Sequence, residues 1–434
     1  MKFGKDEIVL CSDGKEIAVR DFLGEGGQGE VYLAEYNGRQ YAFKYYKDAR
    51  SAEFMYNLRT NIARGRPSDA FLWPQEIVET ASGGQGYLMA LRPKNYVSFV
   101  SYLTGKNSFA DREVLLRWCI RLCESFKKLH EKGFSYQDLN DGSFFLDPHT
   151  GSLLICDNDN VTADKKSLGI LGKMRYMAPE IVRGDLDEKG AKRMPDVHSD
   201  RFSLAVILFL ALCKGNPFEG EVLKNFEIVD EAAEYHMFGV KPIFVFHKTN
   251  LKNRPIRGYH SAVLKRWPLL PEYIQDGFVR TFTDGLVDRE NGRVTELEWL
   301  KLFTRYRDEL IGCACGEQVA YLQAKNGRCP ICGRDLERTC VLQIGKNRVC
   351  LVPGKKLYAV HLDKYSSEYD RPVAEVIRNK NNPSLWGIRL ELSAPVTVKD
   401  SHGAIRTVDA DGVIPLIKDL KVQFDQNTEG VITI

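Results

Sequence analysis

Between residues 16 and 46 apolar positions alternate with polar ones. Ile17, Val19 and Phe22 lead into a cluster of glycines, and Val31-Tyr32-Leu33 and Tyr41-Ala42-Phe43-Lys44 follow it. A period of two predicts strands joined by tight turns. Ser51 is a good helix N-cap, and Phe54, Leu58 and Ile62 recur behind it, which predicts a helix. Strand pattern returns at Gly86-Tyr87-Leu88-Met89. From Asp111 the period changes: Val114, Leu115, Trp118, Leu122, Phe126 and Leu129 recur at three- and four-residue steps, and helical pattern continues to about Leu310. The apolar run Phe202 to Cys213 is too short to cross a bilayer and reads as a buried helix. After Val341 β-branched residues alternate between turn signals (Pro353-Gly354, Asn381-Asn382-Pro383, Asp411-Gly412), which predicts an antiparallel sandwich. No internal repeat or low-complexity segment interrupts the pattern.

At 434 residues the chain exceeds one ordinary core, so two or three domains are expected. Hydrophobic residues make up 44% and charged residues 27%, the balance of a globular chain. A net charge of +3 gives no reason to expect a nucleic-acid partner. The start, Lys2-Phe3-Gly4-Lys5-Asp6, lacks an apolar core of secretory type. With eleven cysteines, an odd number, reduced thiols in a cytoplasm are expected and a disulfide framework is not; no membrane association is expected either.

Three places carry candidate chemistry. Gly24-Glu25-Gly26-Gly27-Gln28-Gly29, between two strands, lets backbone N–H groups approach a polyphosphate; a mobile glycine hairpin is the plain alternative. Because strand pattern follows the last glycine, a dinucleotide-binding reading is disfavoured. Lys44 ends an apolar strand, where an ammonium can pair with α- and β-phosphates if a carboxylate fixes it. Glu53 on the following helix is the expected carboxylate, with Glu76 as competitor. Asp138 and Asp157 each border a short apolar run, a pair suited to one base beside a hydroxyl and one ligand for a hard cation. Turn-capping aspartates are the alternative.

Taken in order, these motifs resemble a eukaryotic-type protein kinase over residues 16 to 310. The glycine loop, the Ala42-Phe43-Lys44 strand, the Asp138 loop, Asp157-Asn158-Asp159 in place of D-F-G, and Met177-Ala178-Pro179-Glu180 all match that order. His198 to Leu204 resembles the buried helix whose aspartate, here Asp200, braces the catalytic loop. Asp288 to Arg293 resembles the segment whose arginine pairs with the glutamate of A-P-E, here Glu180. The resemblance implies a bilobal α+β fold, with an N-lobe over residues 1–92 and a C-lobe over 93–310. It also implies ATP with magnesium or manganese. Val31, Ala42, Met89, Leu91 and Phe145 would surround the adenine, Gly24, Gly26 and Gly29 would cover the phosphates, and Asp157 and Ser143 would hold the metal.

The departures from the pattern carry information too. H-R-D reads Tyr136-Gln137-Asp138, so the arginine that receives a phosphorylated activation loop is missing. Asn140 replaces the catalytic-loop lysine, Ser143 replaces the metal-binding asparagine, and Lys173 stands where a threonine is common. Asn158 or Asp159 is a candidate for the lost metal ligand, and Thr162 and Ser167 are candidate exposed autophosphorylation sites. The expected function is therefore transfer of phosphate to serine or threonine of a protein substrate, with a pseudokinase scaffold as the alternative. Phe71-Leu72-Trp73-Pro74 and the runs around Asp138 and Asp157 are similar to bacterial tellurite-resistance-associated kinases. That likeness implies a von Willebrand A-domain protein and a metal-dependent phosphatase as partners.

Two knuckles, Cys313-Ala314-Cys315-Gly316 and Cys329-Pro330-Ile331-Cys332-Gly333, supply four thiolates for a structural zinc ribbon over residues 311–340; redox or free thiols are the alternative. Cys340 and Cys350 read as buried apolar residues. Residues 341–434 resemble a forkhead-associated-like β-sandwich. Lys355 stands where phosphothreonine readers carry arginine, and Ser401-His402 are adjacent, so a degenerate protein-binding sandwich is expected.

Overall fold

The computed structural model describes residues 2–169, 172–363 and 365–433. The chain divides into two compact units. The first comprises residues up to 109 with 121–267 and 276–297; the second comprises 110–120, 268–275 and everything from 298 on.

The first unit begins with six antiparallel strands: β1 (Ile8–Leu10), β2 (Glu16–Glu25), β3 (Gly29–Tyr36), β4 (Arg39–Tyr46), β5 (Pro74–Glu79) and β6 (Gln85–Met89), in the order β1-β2-β3-β4-β6-β5. The alternation read from the sequence sends Ile17, Val19, Tyr32, Ala34, Phe43, Val78 and Leu88 into one buried core. Helix α1 (Ala52–Arg64) starts where expected, with the Ser51 hydroxyl accepting from the Phe54 N–H at 3.1 Å. Its buried face is Phe54, Met55, Leu58 and Asn61.

The helical part of the same unit carries the short strands β7 (Val97–Ser98), β8 (Phe134–Ser135), β9 (Phe144–Leu146), β10 (Leu153–Ile155) and β11 (Thr162–Ala163). β10, β9 and β7 form one small sheet, and β11 pairs with β8. The run Val197–Cys213 is a fully packed helix opened by an Asp196–Ser199 capping box. Its Phe202 and Phe209 meet Phe218, Phe278 and Phe282 at ring separations of 5.3–6.2 Å. Burial of each such ring stabilises by roughly 1.5–3 kcal/mol. Among the described residues no helix is long and apolar enough to cross a membrane.

The second unit holds the hairpin β12 (Leu310–Gly312) and β13 (Gln318–Ala320), and then the strands of the expected sandwich. These are β14 (Cys340–Ile344), β15 (Asn347–Leu351), β16 (Lys356–Tyr358), β17 (Pro372–Arg378), β18 (Trp386–Leu390), β19 (Val396–Lys399), β20 (Ile405–Val408), β21 (Val413–Pro415), β22 (Lys421–Gln423) and β23 (Glu429–Thr433). They form two antiparallel sheets, β15-β14-β23-β22-β19-β20 and β16-β17-β18-β21, over a core that includes Leu342, Leu357, Val376, Ile388, Val398 and Ile432. Within this unit ion pairs link residues 110–120 and 298–308 to the segment after β15. Lys355 Nζ, buried, reaches Glu113 Oε2 at 3.1 Å and the Arg307 carbonyl at 2.9 Å, and His361 Nε2 meets Asp308 Oδ2 at 2.9 Å. A lysine so enclosed by its own chain does not present its charge to a phosphopeptide. Cys350 is fully buried, as expected, and Cys340 is half-buried.

Candidate active site

β2 and β3 converge on the glycine run, where the Gly26 N–H donates to the Gly29 carbonyl at 2.9 Å. A Cβ on Gly29 would come within 2.4 Å of the Tyr45 carbonyl oxygen, so glycine is required there by close approach of β4. At Gly24, Gly26 and Gly27 an added Cβ would meet nothing within 4 Å. These three answer no packing need of the chain itself and leave backbone open to a ligand. Register then sets the neighbouring groups: Val31 pairs with Lys44, Ala42 with Met89, and Lys44 with Tyr87. Val31, Ala42, Met89, Leu91 and Phe145 all belong to one apolar cluster, together with Leu72 and Leu154.

Lys44 is buried, and its partners differ from those expected. Nζ lies 3.0 Å from both oxygens of Asp159 and 3.2 Å from Asp157 Oδ1, with Gln28 Oε1 at 3.5 Å. Burial alone would lower the ammonium, but Asp159 and then Asp157 outweigh it and raise its pKa. Glu53 does not reach Lys44. It is exposed in the first turn of α1, because the helix turns Phe54, Met55 and Leu58 inward. Glu76 is engaged elsewhere, with Lys15 at 2.5 Å and Tyr36 at 3.2 Å. From α1 the polar contacts are amides: Asn57 and Asn61 donate to the Val161 carbonyl at 2.8 and 2.7 Å.

Asp157 follows β10 in a left-handed backbone conformation (φ +56°), opening a 3-10 turn over Asn158–Asn160. Its side chain remains about half exposed, at 47%. Both residues expected to replace the lost metal ligand are buried in this turn. Asn158 is buried and donates to the Leu72 and Ile155 carbonyls, both at 2.9 Å. Asp159 is fully enclosed, accepting from Tyr46 at 2.8 Å and Tyr87 at 3.2 Å as well as from Lys44.

The loop between β8 and β9 presents Asp138. Asn140 Nδ2 donates to Asp138 Oδ1 at 3.1 Å, while Asn140 Oδ1 caps the following turn through the Gly142 N–H at 3.0 Å. Ser143, buried, donates to the Asp138 carbonyl at 3.4 Å. Burial raises the Asp138 carboxyl above its usual range; the Asn140 bond pulls it partly back, and the charge of Asp157 adds to the rise. Asp200 braces this loop as expected, accepting from the backbone N–H groups of Tyr136 at 2.6 Å and Gln137 at 3.2 Å. Asp200 itself is met by His130 Nε2 at 3.2 Å, whose Nδ1 meets Glu296 at 2.8 Å. Glu180 and Arg293 form the expected buried bidentate pair at 2.8 and 2.7 Å.

Where an arginine is usual, the Gln137 amide bonds the Thr162 hydroxyl and the Lys166 carbonyl. Thr162 is therefore not an exposed acceptor of phosphate: it is 1% exposed, and its hydroxyl donates to Lys166 O at 3.0 Å. Ser167 is half-buried.

In the second unit the four predicted cysteines do meet. Cys313 and Cys332 sulfurs are 3.7 Å apart, Cys315 and Cys329 4.0 Å, and all four lie within 4.8 Å of one another. A tetrahedral site with metal–sulfur bonds of about 2.3 Å needs sulfurs about 3.8 Å apart. Each knuckle turns on a glycine of positive φ, Gly316 at +91° and Gly333 at +73°.

Comparison with known proteins bears on the first unit. The family described as protein kinase domain matches residues 17–255. Ribosomal protein S6 kinase alpha-6 of Danio rerio is 26% identical over 227 residues, 48% of this chain and 28% of its own length. Serine/threonine-protein kinase PrkC of Bacillus subtilis is 25% identical over 211 residues, 46% of this chain and 30% of its own. Serine/threonine-protein kinase pkn2 of Myxococcus xanthus is 27% identical over 239 residues, 51% of this chain and 27% of its own. The chain thus spans less than a third of each of these three relatives.

Proposed function

The chain belongs to the protein kinase family, and from that premise we propose that it transfers the γ-phosphoryl group of ATP to a serine or threonine hydroxyl of a protein. The observation that carries this reading is Lys44 Nζ at 3.2 Å from Asp157, beside the apolar cluster of Val31, Ala42, Met89, Leu91 and Phe145. The apolar cluster receives the adenine, and the open backbone at Gly24 and Gly26 lets N–H groups approach the phosphates. Lys44 pairs with the α- and β-phosphates as a fixed point charge. Asp138 orients the acceptor hydroxyl and takes its proton, and its raised carboxyl is the better base for the desolvated surroundings. Asp157, a half-exposed hard oxygen donor, with Ser143 as second oxygen would hold magnesium or manganese, which neutralises phosphate charge when bound.

Asn140 supports Asp138 by its amide and brings no cation to the γ-phosphate, which favours slow transfer and keeps a nucleotide-binding scaffold as the second reading. Labelled ATP separates the two: Asp138→Ala is expected to lose incorporation into protein while binding ADP as wild type does. Equal incorporation by that variant would remove Asp138 as base. Following the likeness to tellurite-resistance-associated kinases, a von Willebrand A-domain protein is the first acceptor to try and a metal-dependent phosphatase the first opposing enzyme.

The four cysteines are read as a structural zinc site, since four thiolates leave no open position for chemistry. Metal analysis of the purified chain is expected to give about one zinc per molecule, falling to none in Cys329→Ser with Cys332→Ser.

A further inference from the structure

A buried ammonium requires a counter-charge with its own hydrogen bonds satisfied. In this chain that requirement is met from an unusual direction. β4 puts Lys44 and Tyr46 on one face, two residues apart, and β6 sets Tyr87 directly across from Lys44. All three side chains reach the same carboxylate: Asp159 takes Lys44 at 3.0 Å on both oxygens, Tyr46 at 2.8 Å on Oδ2 and Tyr87 at 3.2 Å on Oδ1. Asp159 is completely buried, and the three side chains that reach it, from Lys44, Tyr46 and Tyr87, are all donors. Meanwhile Glu53, the helix carboxylate, is exposed, and α1 offers the turn only the amides of Asn57 and Asn61.

We infer that Asp159 is the positioning residue for the phosphate lysine, replacing a helix carboxylate in that role. This rests on the kinase reading above and deepens it. Asp157 and Asp159 stand two residues apart on one 3-10 turn, so a single turn sets both the lysine and the carboxylate assigned to the metal. Asp159 alone already satisfies Lys44 at two contacts. A cation that engages Asp157 therefore does not leave the lysine without a partner.

The test uses the full chain, with ADP and ATP as probes, by calorimetry with and without magnesium. Steady-state transfer to the acceptor established for wild type is measured alongside. Asp159→Asn, which keeps shape and removes charge, is expected to weaken ADP binding and raise the KM for ATP by about tenfold or more, leaving the KM for the protein acceptor unchanged. Tyr46→Phe removes one donor to Asp159 and is expected to shift the same two quantities about two- to fivefold. Glu53→Gln is expected to stay within about twofold throughout. Unfolding temperature is recorded for each variant; if Asp159→Asn does not fold, the Tyr46→Phe and Glu53→Gln pair decides the matter. Nucleotide affinity unchanged or increased in Asp159→Asn, no change in Tyr46→Phe where that pair decides, or a tenfold loss in Glu53→Gln would overturn the assignment. Wild-type protein that binds no nucleotide would overturn the kinase reading along with it; wild type that binds and transfers beside an unaffected Asp159→Asn would overturn this inference alone.

Discussion

Changing His130 to Gln removes a buried imidazole whose two nitrogens meet Asp200 and Glu296. Burial pulls the imidazole pKa down, but the bonds to Asp200 and Glu296 outweigh it and raise it from 6.5 to about 9. A rise of that size, at about 1.4 kcal/mol per pH unit, makes the protonated ring stabilise the fold by about 3 kcal/mol. Glu296, held down to about 2 despite burial by His130 and Arg201, reports much of the same interaction, so the amount is counted once. The sign follows from the direction of the shift. A group whose folded pKa lies above its unfolded one contributes fully below about pH 6.5 and loses that contribution as pH rises through about 9. Urea unfolding of wild type and His130→Gln between pH 6 and pH 10 is therefore expected to show a gap of about 3 kcal/mol at the acid end. The gap shrinks by most of that amount at the alkaline end. A gap that stays constant or widens with pH would show that the ring is neutral and that its role is packing alone. Asp200 holds the backbone of Tyr136 and Gln137, so loss of the imidazolium is also expected to lower transfer more than nucleotide binding.

Other perturbations follow from the same geometry. Arg293→Met leaves Glu180 buried without its bidentate partner, with Arg289 still beside it, and is expected to cost about 3–5 kcal/mol in urea unfolding. Gly29→Ala drives a Cβ into the Tyr45 carbonyl and should lower stability by about 1–3 kcal/mol. Gly26→Ala meets open space and should leave unfolding unchanged while raising the KM for ATP. Thr162→Val removes a buried donor to Lys166 O and leaves the Gln137 amide short of a partner; a loss of about 1–2 kcal/mol is expected. Phosphosite mapping after autophosphorylation should find Thr162 unmodified. Lys355→Met, beside half-buried Glu113, should destabilise the second unit by about 1–3 kcal/mol, measurable by urea unfolding.

Much of this was legible because it depends on local period and spacing. The strands that deliver the glycines and Lys44, the Ser51 cap, the buried helix over Val197–Cys213, the two-sheet sandwich and the four converging cysteines all come from patterns within a few residues. The Glu180–Arg293 pair was reached only through resemblance, since no spacing rule links residues so far apart. Glu53 follows the lysine strand closely enough to suggest a pair, but the phase of α1, which buries Phe54, Met55 and Leu58, turns it outward. Asp159 was missed as the lysine's partner although one signal existed: Lys44 and Tyr46 share strand parity, and two phenols beside a buried lysine need an acceptor. Thr162 looked exposed because polar residues usually are, and the Gln137 amide that encloses it approaches from another element. The ion pairs Lys355–Glu113 and His361–Asp308 join three separate stretches and leave no mark on any one of them.

If the kinase reading holds, Lys44, Asp138 and Asp157 serve one triphosphate. A crystal structure of the chain with a non-hydrolysable ATP analogue and magnesium tests it most directly. Lys44 Nζ is expected to bond the α- or β-phosphate and still Asp159, with Asp157 on the metal and Asp138 facing the γ-phosphate. An analogue bound with its phosphates away from Lys44, or a metal held without Asp157, would contradict it.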